Sequence, residues 1–139
     1  MVYLVDDDPD DLELVQEAFQ RRGFQGQIAS AANGADFLSK LNRSNLPELI
    51  ILDLNMPLKD GFEVLTELKK SRNFSAVPVI ILTASHSKHD EKKCLELGCN
   101  LFLRKPSTLE GYDEVGMIIL DFLRDLKENK HPFIGKQEG

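Results

Sequence analysis

The chain has 139 residues, 42% of them hydrophobic and 29% charged, with a net charge of −6, as expected of one soluble globular domain with a real core. The acidic balance argues against direct nucleic-acid binding, which needs a basic footprint, and no apolar run approaches the ~20 residues of a membrane span. No basic-then-apolar leader opens the chain and two cysteines, Cys94 and Cys99, are too few for a disulfide framework, so a cytoplasmic protein with reduced thiols and no membrane insertion is expected.

The apolar run Met1-Val2-Tyr3-Leu4-Val5 predicts a strand that ends in Asp6-Asp7. Asp8-Pro9-Asp10-Asp11 is a strong helix start, with an Asp cap, Pro at the first helical position and acids in the first turn. Leu12, Val15, Ala18 and Phe19 continue that helix to Gly23. Gln25 to Ala31 supports only a weak strand around Ile28. Asn33-Gly34 marks a turn before a short helix carrying Phe37, Leu38 and Leu41, and Asn42 to Pro47 reads as a loop. Leu49–Leu52 is a strand ending in Asp53. Gly61 opens a helix with Phe62, Leu65 and Leu68 on one face, and Ser71 to Pro78 is a polar loop. Val79–Leu82 is a strand ending in Thr83. Ser87 caps a helix running through Leu97, with Gly98 where a left-handed cap is expected. Leu101–Leu103 is a strand followed, after one Arg, by Lys105-Pro106. Leu109, Tyr112, Val115, Ile119, Phe122 and Leu126 define a long final helix. Residues 1–128 therefore form one domain, and 129–139 a polar tail whose Pro132-Phe133-Ile134 could dock on the domain or a partner.

Uninterrupted apolar runs separated by helices are the pattern of buried parallel strands. In such a sheet ligands bind at the carboxyl ends of the strands. Asp6, Asp7, Asp53, Thr83 and Lys105 would then converge on one crevice. Three crowded carboxylates need a counter-charge, and Mg²⁺, with its preference for carboxylate, water and phosphate oxygens, suits them. Asp53 is the candidate nucleophile, since a carboxylate can take a phosphoryl group. Lys105 supplies the fixed cation that phosphoryl transfer requires, and Thr83 a hydroxyl donor. Asp8, Asp10 and Asp11 are assigned to helix capping and solvated surface. His86 and His89 are assigned to the surface too, since no third ligand stands near them in sequence, and Cys94 and Cys99 to unreactive packing positions.

These residues resemble the receiver domain of two-component response regulators, especially its free-standing single-domain, chemotaxis-regulator-like members. The resemblance runs from about residue 1 to 127 and is carried by Val5-Asp6-Asp7, Asp53-Leu54-Asn55-Met56-Pro57, Lys59-Asp60-Gly61, Thr83-Ala84 and Lys105-Pro106, with 30 residues from Asp53 to Thr83 and 22 from Thr83 to Lys105. It implies a flavodoxin-like (βα)5 three-layer sandwich whose parallel five-stranded sheet runs in the order 2-1-3-4-5. It implies that Asp53 accepts a phosphoryl group from a sensor histidine kinase or phosphotransfer protein. Asp7 would bind Mg²⁺ directly, Asp6 through water, and Asn55 through its backbone carbonyl, with Asp53 completing the metal site. Lys105 would contact the phosphoryl group, aimed inward by a cis peptide at Pro106. Thr83 and the aromatic Phe102 would form the switch; Phe102 stands where many receivers have Tyr, and Ser107 where many have Phe. Output would pass to a downstream protein, or to a second copy, through the 87–97 helix, the 101–103 strand and the 108–128 helix. Three other readings compete. A haloacid-dehalogenase-type phosphohydrolase would want a second Asp where Asn55 stands. An adaptor that has lost phosphorylation would lack the acceptor or an acid. An FMN protein would have a Ser/Thr-rich phosphate loop after the first strand.

Overall fold

The computed structural model describes residues 1–128; the expected 129–139 tail, with its Pro132-Phe133-Ile134, lies outside the described residues. Five strands alternate with five helices: β1 (Val2–Val5), α1 (Pro9–Arg21), β2 (Ile28–Ala31), α2 (Gly34–Lys40), β3 (Leu49–Leu52), α3 (Gly61–Lys70), β4 (Val79–Thr83), α4 (Lys88–Leu97), β5 (Leu101–Arg104) and α5 (Leu109–Lys127). The sheet order is β2-β1-β3-β4-β5 with every pairing parallel. This is the flavodoxin-like three-layer sandwich anticipated from the strand endings.

The pleat explains why the strands read as continuous apolar runs. Val2 and Leu4, Leu49 and Ile51, Ile80 and Leu82, and Leu101 and Leu103 point to one side, where they pack with α1 and α5. Tyr3 and Val5, Ile50 and Leu52, Val79 and Ile81, and Phe102 point to the other, toward α2, α3 and α4. Successive side chains alternate between faces, and here both faces are covered, so the central strands carry apolar side chains on both sides until Thr83 at the carboxyl end of β4.

The helix starts follow local chemistry. Asp8 caps α1 by accepting the Asp10 N–H, with Pro9 in the first turn. Asp60 and Glu63 form a reciprocal capping box at α3. Ser87 caps α4, and Gly98 ends it in the left-handed conformation, φ 107°. Thr108 caps α5. Two elements are shorter than the sequence suggests. β2 begins only at Ile28: it is an edge strand paired to β1 alone, and none of its first three residues is fully buried. α2 stops at Lys40, with Leu41 already extended at ψ 137°.

Candidate functional site

The register of the sheet sets which strand-end residues meet. Val5 pairs with Leu52, and the Asp53 N–H donates to the Val5 carbonyl at 2.9 Å, so Asp6 and Asp53 leave adjacent strands side by side. Thr83 pairs with Arg104, and the Lys105 N–H donates to the Thr83 carbonyl at 2.8 Å. Gly61 closes this end: a Cβ there would fall 2.3 Å from the Asp53 carbonyl oxygen, so only glycine lets α3 start against the Asp53 backbone.

Pleat parity then sorts the side chains. Asp6, Asp53 and Lys105 all emerge toward the α1/α5 side. The Lys105 Nζ lies 2.8 Å from Asp6 Oδ2 and 3.3 Å from Asp53 Oδ2. Asp53 Oδ1 accepts the Leu54 N–H at 2.7 Å, and Asp6 Oδ1 accepts the Asp8 N–H at 3.0 Å. Asp6 and Asp53 are buried while Asp7 is exposed, and one carboxylate oxygen from each of the three lies within 4.8 Å of the others. Burial pushes the Asp6 carboxyl up to about 6, against the pull of the Lys105 and Asp8 hydrogen bonds and with the Asp53 charge adding to the rise. At Lys105 burial alone would lower the pKa, but its bonds to Asp11 and Asp6 and the charge of Asp53 win and hold it above the ordinary lysine range. The three carboxylates within 4.8 Å of one another form a compact acidic cluster. Its hard, all-oxygen donor set fits Mg²⁺ or a similar divalent ion.

Thr83 emerges with the opposite parity. It is fully buried at the α4 side, where its hydroxyl accepts the Ser85 N–H at 3.4 Å. The hydroxyl itself is bonded to neither the Asp53 carboxylate nor the Lys105 ammonium. Phe102 lies on the same side, half-buried against the α2–α4 core, with the Arg104 guanidinium 5.5 Å from its ring centre. Asn55 sits in the exposed loop two residues past Asp53, beside buried Met56. His86 and His89 are exposed and belong to no acid or metal-type cluster among the described residues.

Two expectations need correction. The Lys105–Pro106 peptide is trans, as is every described peptide bond; strand parity and the Thr83 backbone bond already turn Lys105 inward. Asp11 is not a solvated surface acid. Its Oδ2 lies 2.6 Å from the Lys105 Nζ, and its Oδ1 accepts the Tyr112 hydroxyl at 3.4 Å. The signal was in the helix phase: Asp11, Val15, Ala18 and Phe19 recur at the spacing of one face, and the last three are buried against the sheet.

A twisted parallel sheet with acids, a hydroxyl and a lysine at its carboxyl edge defines the receiver class of signalling domains. The response regulator receiver domain model matches residues 2–115, and the chain belongs to that family. It is 32% identical to the probable methanogenesis regulatory protein FilR2 of Methanothrix harundinacea, over 97% of this chain and 84% of that one. The phosphorylated cyanobacterial phytochrome response regulator RcpA superposes with a TM-score of 0.83 at 28% identity, covering 90% of this chain and 94% of that one. The Mn²⁺-bound form of response regulator Rcp1, a protein of Synechocystis, gives 0.78 at 34% identity, covering 87% and 91%.

Proposed function

We propose that this protein is a single-domain response regulator, with residues 1–128 as the receiver and 129–139 as an appended tail, that takes a phosphoryl group on Asp53. The observation that carries the reading is the position of the Lys105 ammonium, shared by Asp53 and Asp6 beside the three-carboxylate cluster. Membership of the receiver family and likeness to the phosphorylated RcpA and Mn²⁺-bound Rcp1 structures support it.

A carboxylate oxygen of Asp53 attacks phosphorus, the O–P bond forms, and the P–N bond to a donor histidine of a sensor kinase or phosphotransfer protein breaks. The electron pair leaves with the imidazole nitrogen, which is reprotonated from solvent. Lys105 neutralises charge on the phosphoryl oxygens, and Thr83 turns its hydroxyl toward them. Asp6, Asp7, Asp53 and the Asn55 carbonyl would hold Mg²⁺, which when bound adds a Lewis-acid counter-charge to the transferred group. The protein signals and is not a metabolic enzyme; its dephosphorylation is slow hydrolysis of its own aspartyl phosphate.

Phosphorylation adds roughly −1.5 to −2 charges and shifts the population toward the state in which Thr83 and Phe102 have moved inward. The face of α4, β5 and α5 then meets a downstream protein or a second copy, and the setting is the cytoplasm. Phe102→Ala leaves phosphorylation intact and weakens partner capture; unchanged capture would remove Phe102 from the switch.

The test is intact-mass measurement after incubation with acetyl phosphate, with and without Mg²⁺, beside Asp53→Asn. One added phosphoryl group that requires Mg²⁺ and disappears in the variant supports the reading. An adduct that persists in the variant, or release of phosphate at many equivalents of a monoester, would overturn it.

A further inference from the structure

The Lys105 ammonium has three donors, and the structure gives them three acceptors: Asp11 Oδ2 at 2.6 Å, Asp6 Oδ2 at 2.8 Å and Asp53 Oδ2 at 3.3 Å. Asp6 and Asp53 belong to the three-carboxylate cluster; Asp11 does not. A divalent cation and an ammonium compete for the same two carboxylates, because each oxygen gains most from one close positive charge and the cations repel each other. Lys105 must therefore surrender Asp6 and Asp53, at least in part, when the cluster is filled. An ammonium with a side chain only 10% exposed would be left without a partner in that state unless something else on the α1/α5 side received it.

Asp11 is placed to do so. It comes from the first turn of α1, on the face of the helix that packs against the sheet. Its second oxygen is engaged by the hydroxyl of Tyr112, a buried α5 residue. Asp11 is thus held from a third element while both its neighbours at the strand ends change partners. We propose that Asp11, braced by Tyr112, is a positioning residue for Lys105: it holds the ammonium inside the site while Asp6 and Asp53 turn to the divalent cation.

The consequence is measurable without phosphorylation. In Asp11→Asn, the ammonium loses its alternative seat and concentrates on Asp6 and Asp53, so the cation must compete harder for them. Loss of one nearby negative charge weakens cation binding as well, and the two causes are separated by a double-mutant cycle with Lys105→Met. The experiment is calorimetric titration of the full chain with MgCl₂ in four proteins: wild type, Asp11→Asn, Lys105→Met and the double variant. The same cycle is run with Tyr112→Phe, which removes only the brace.

We expect Asp11→Asn to weaken Mg²⁺ binding about tenfold in the Lys105 background, within the range of couplings between contacting residues. In the Lys105→Met background the same change should cost about twofold or less. Tyr112→Phe should show a smaller loss that also vanishes without Lys105. Equal losses in both backgrounds would reduce Asp11 to a bystander charge and overturn the proposal, as would unchanged binding in Asp11→Asn. This inference rests on the divalent-cation reading of the cluster. That reading fails if wild type takes up no Mg²⁺, whereas the role of Asp11 fails alone if wild type binds and the couplings are absent. Thermal melts of each variant establish that the titrated protein is folded, and Tyr112→Phe supplies the cycle if Asp11→Asn is not.

Discussion

The α1/α5 pair and α4, on opposite faces of the sheet, are held in different ways, although α2 and α3 beside α4 bury Phe37, Val64, Leu65 and Leu68. On one face α1 and α5 lie against each other as well as against the strands. Val15, Ala18 and Phe19 of α1 are buried, with Tyr112, Val115, Gly116, Ile119, Phe122 and Leu123 of α5. Gly116 brings the helices so close that a Cβ would stand 3.1 Å from the Ala18 Cβ, and Arg21 pairs with Asp113 at 2.7 Å. On the other face α4 has one fully buried side chain, Cys94. Leu95 and Leu97 are only partly buried against the core, and the rest of its ties are polar or charged: the Ser85 hydroxyl to Asp90 at 2.7 Å, the Ser87 cap, Arg104 to Glu91 at 3.4 Å, and Lys93 over the Phe62 ring. The site spans this divide. Asp6, Asp53, Lys105, Asp11 and Tyr112 stand on the tightly packed side, and Thr83, Ser85 and Phe102 on the lightly held one. The proposed chemistry stands on the side of the tightly packed α1/α5 pair, and the residues proposed to report it face α4, the helix with the least buried surface on its side.

The comparison is broken first by disturbing the packing of the α1/α5 face. Ile119 is fully buried on α5, and Ile119→Ala should lower global stability by about 2–5 kcal/mol, transfer loss plus residual cavity. The check is urea unfolding followed by far-ultraviolet circular dichroism. A loss near 1 kcal/mol would mean that the α1/α5 face collapses to fill the space and is no stiffer than its counterpart. Next, Gly116→Leu forces α5 away from Ala18 and should cost about 1–3 kcal/mol by overpacking. A neutral result would show that the close approach is incidental.

The tightly packed side holds both the residues most legible in the sequence and the one most hidden in it. Four strands were legible because a parallel sheet covered on both faces leaves runs such as Leu49–Leu52 with no polar interruption. The strand endings therefore announced Asp6, Asp53, Thr83 and Lys105. β2 was faint because an edge strand with partly exposed residues carries no such run. Asp11 is hidden for a physical reason. At the start of a helix an acid satisfies both capping and dipole preferences, and those local explanations hid a tertiary one that only the phase with Val15 and Phe19 indicates. That Thr83 faces away from Asp53 follows from parity, which is readable only once the strand register is known.

Cys94 and Cys99 probe the lightly held layer with a smaller effect. Cys94→Ala should cost about 1 kcal/mol, the removal of one buried sulfur. Burial pushes both thiols up to about 12; the Asp90 charge adds at Cys94, and the neighbouring thiol at Cys99. Each is therefore neutral in the native state, where a thiol in the unfolded chain has a pKa of about 8.5. Their contribution to stability is complete below that value and is lost as pH rises from there toward 12. At pH 8 iodoacetamide should modify them only when α4 opens, so labelling should outpace global unfolding yet stay far slower than in urea. Labelling no faster than global unfolding would make α4 as firmly held as α5.

The smallest effect expected is at the tie between α4 and β5. Arg104 and Glu91 are both more than a third exposed, 35% and 38%, and 3.4 Å apart, so water and salt screen most of their attraction. Arg104→Gln should change global stability by about 0.5 kcal/mol or less, an effect that 0.5 M NaCl removes. The same substitution takes away the guanidinium 5.5 Å from the Phe102 ring, so it loosens α4 and frees the Phe102 ring at once. Hydrogen exchange of α4 amides should quicken while that of α5 amides stays unchanged. If α5 quickens equally, the two layers open as one cooperative unit, and the asymmetry seen in their packing does not extend to their motion.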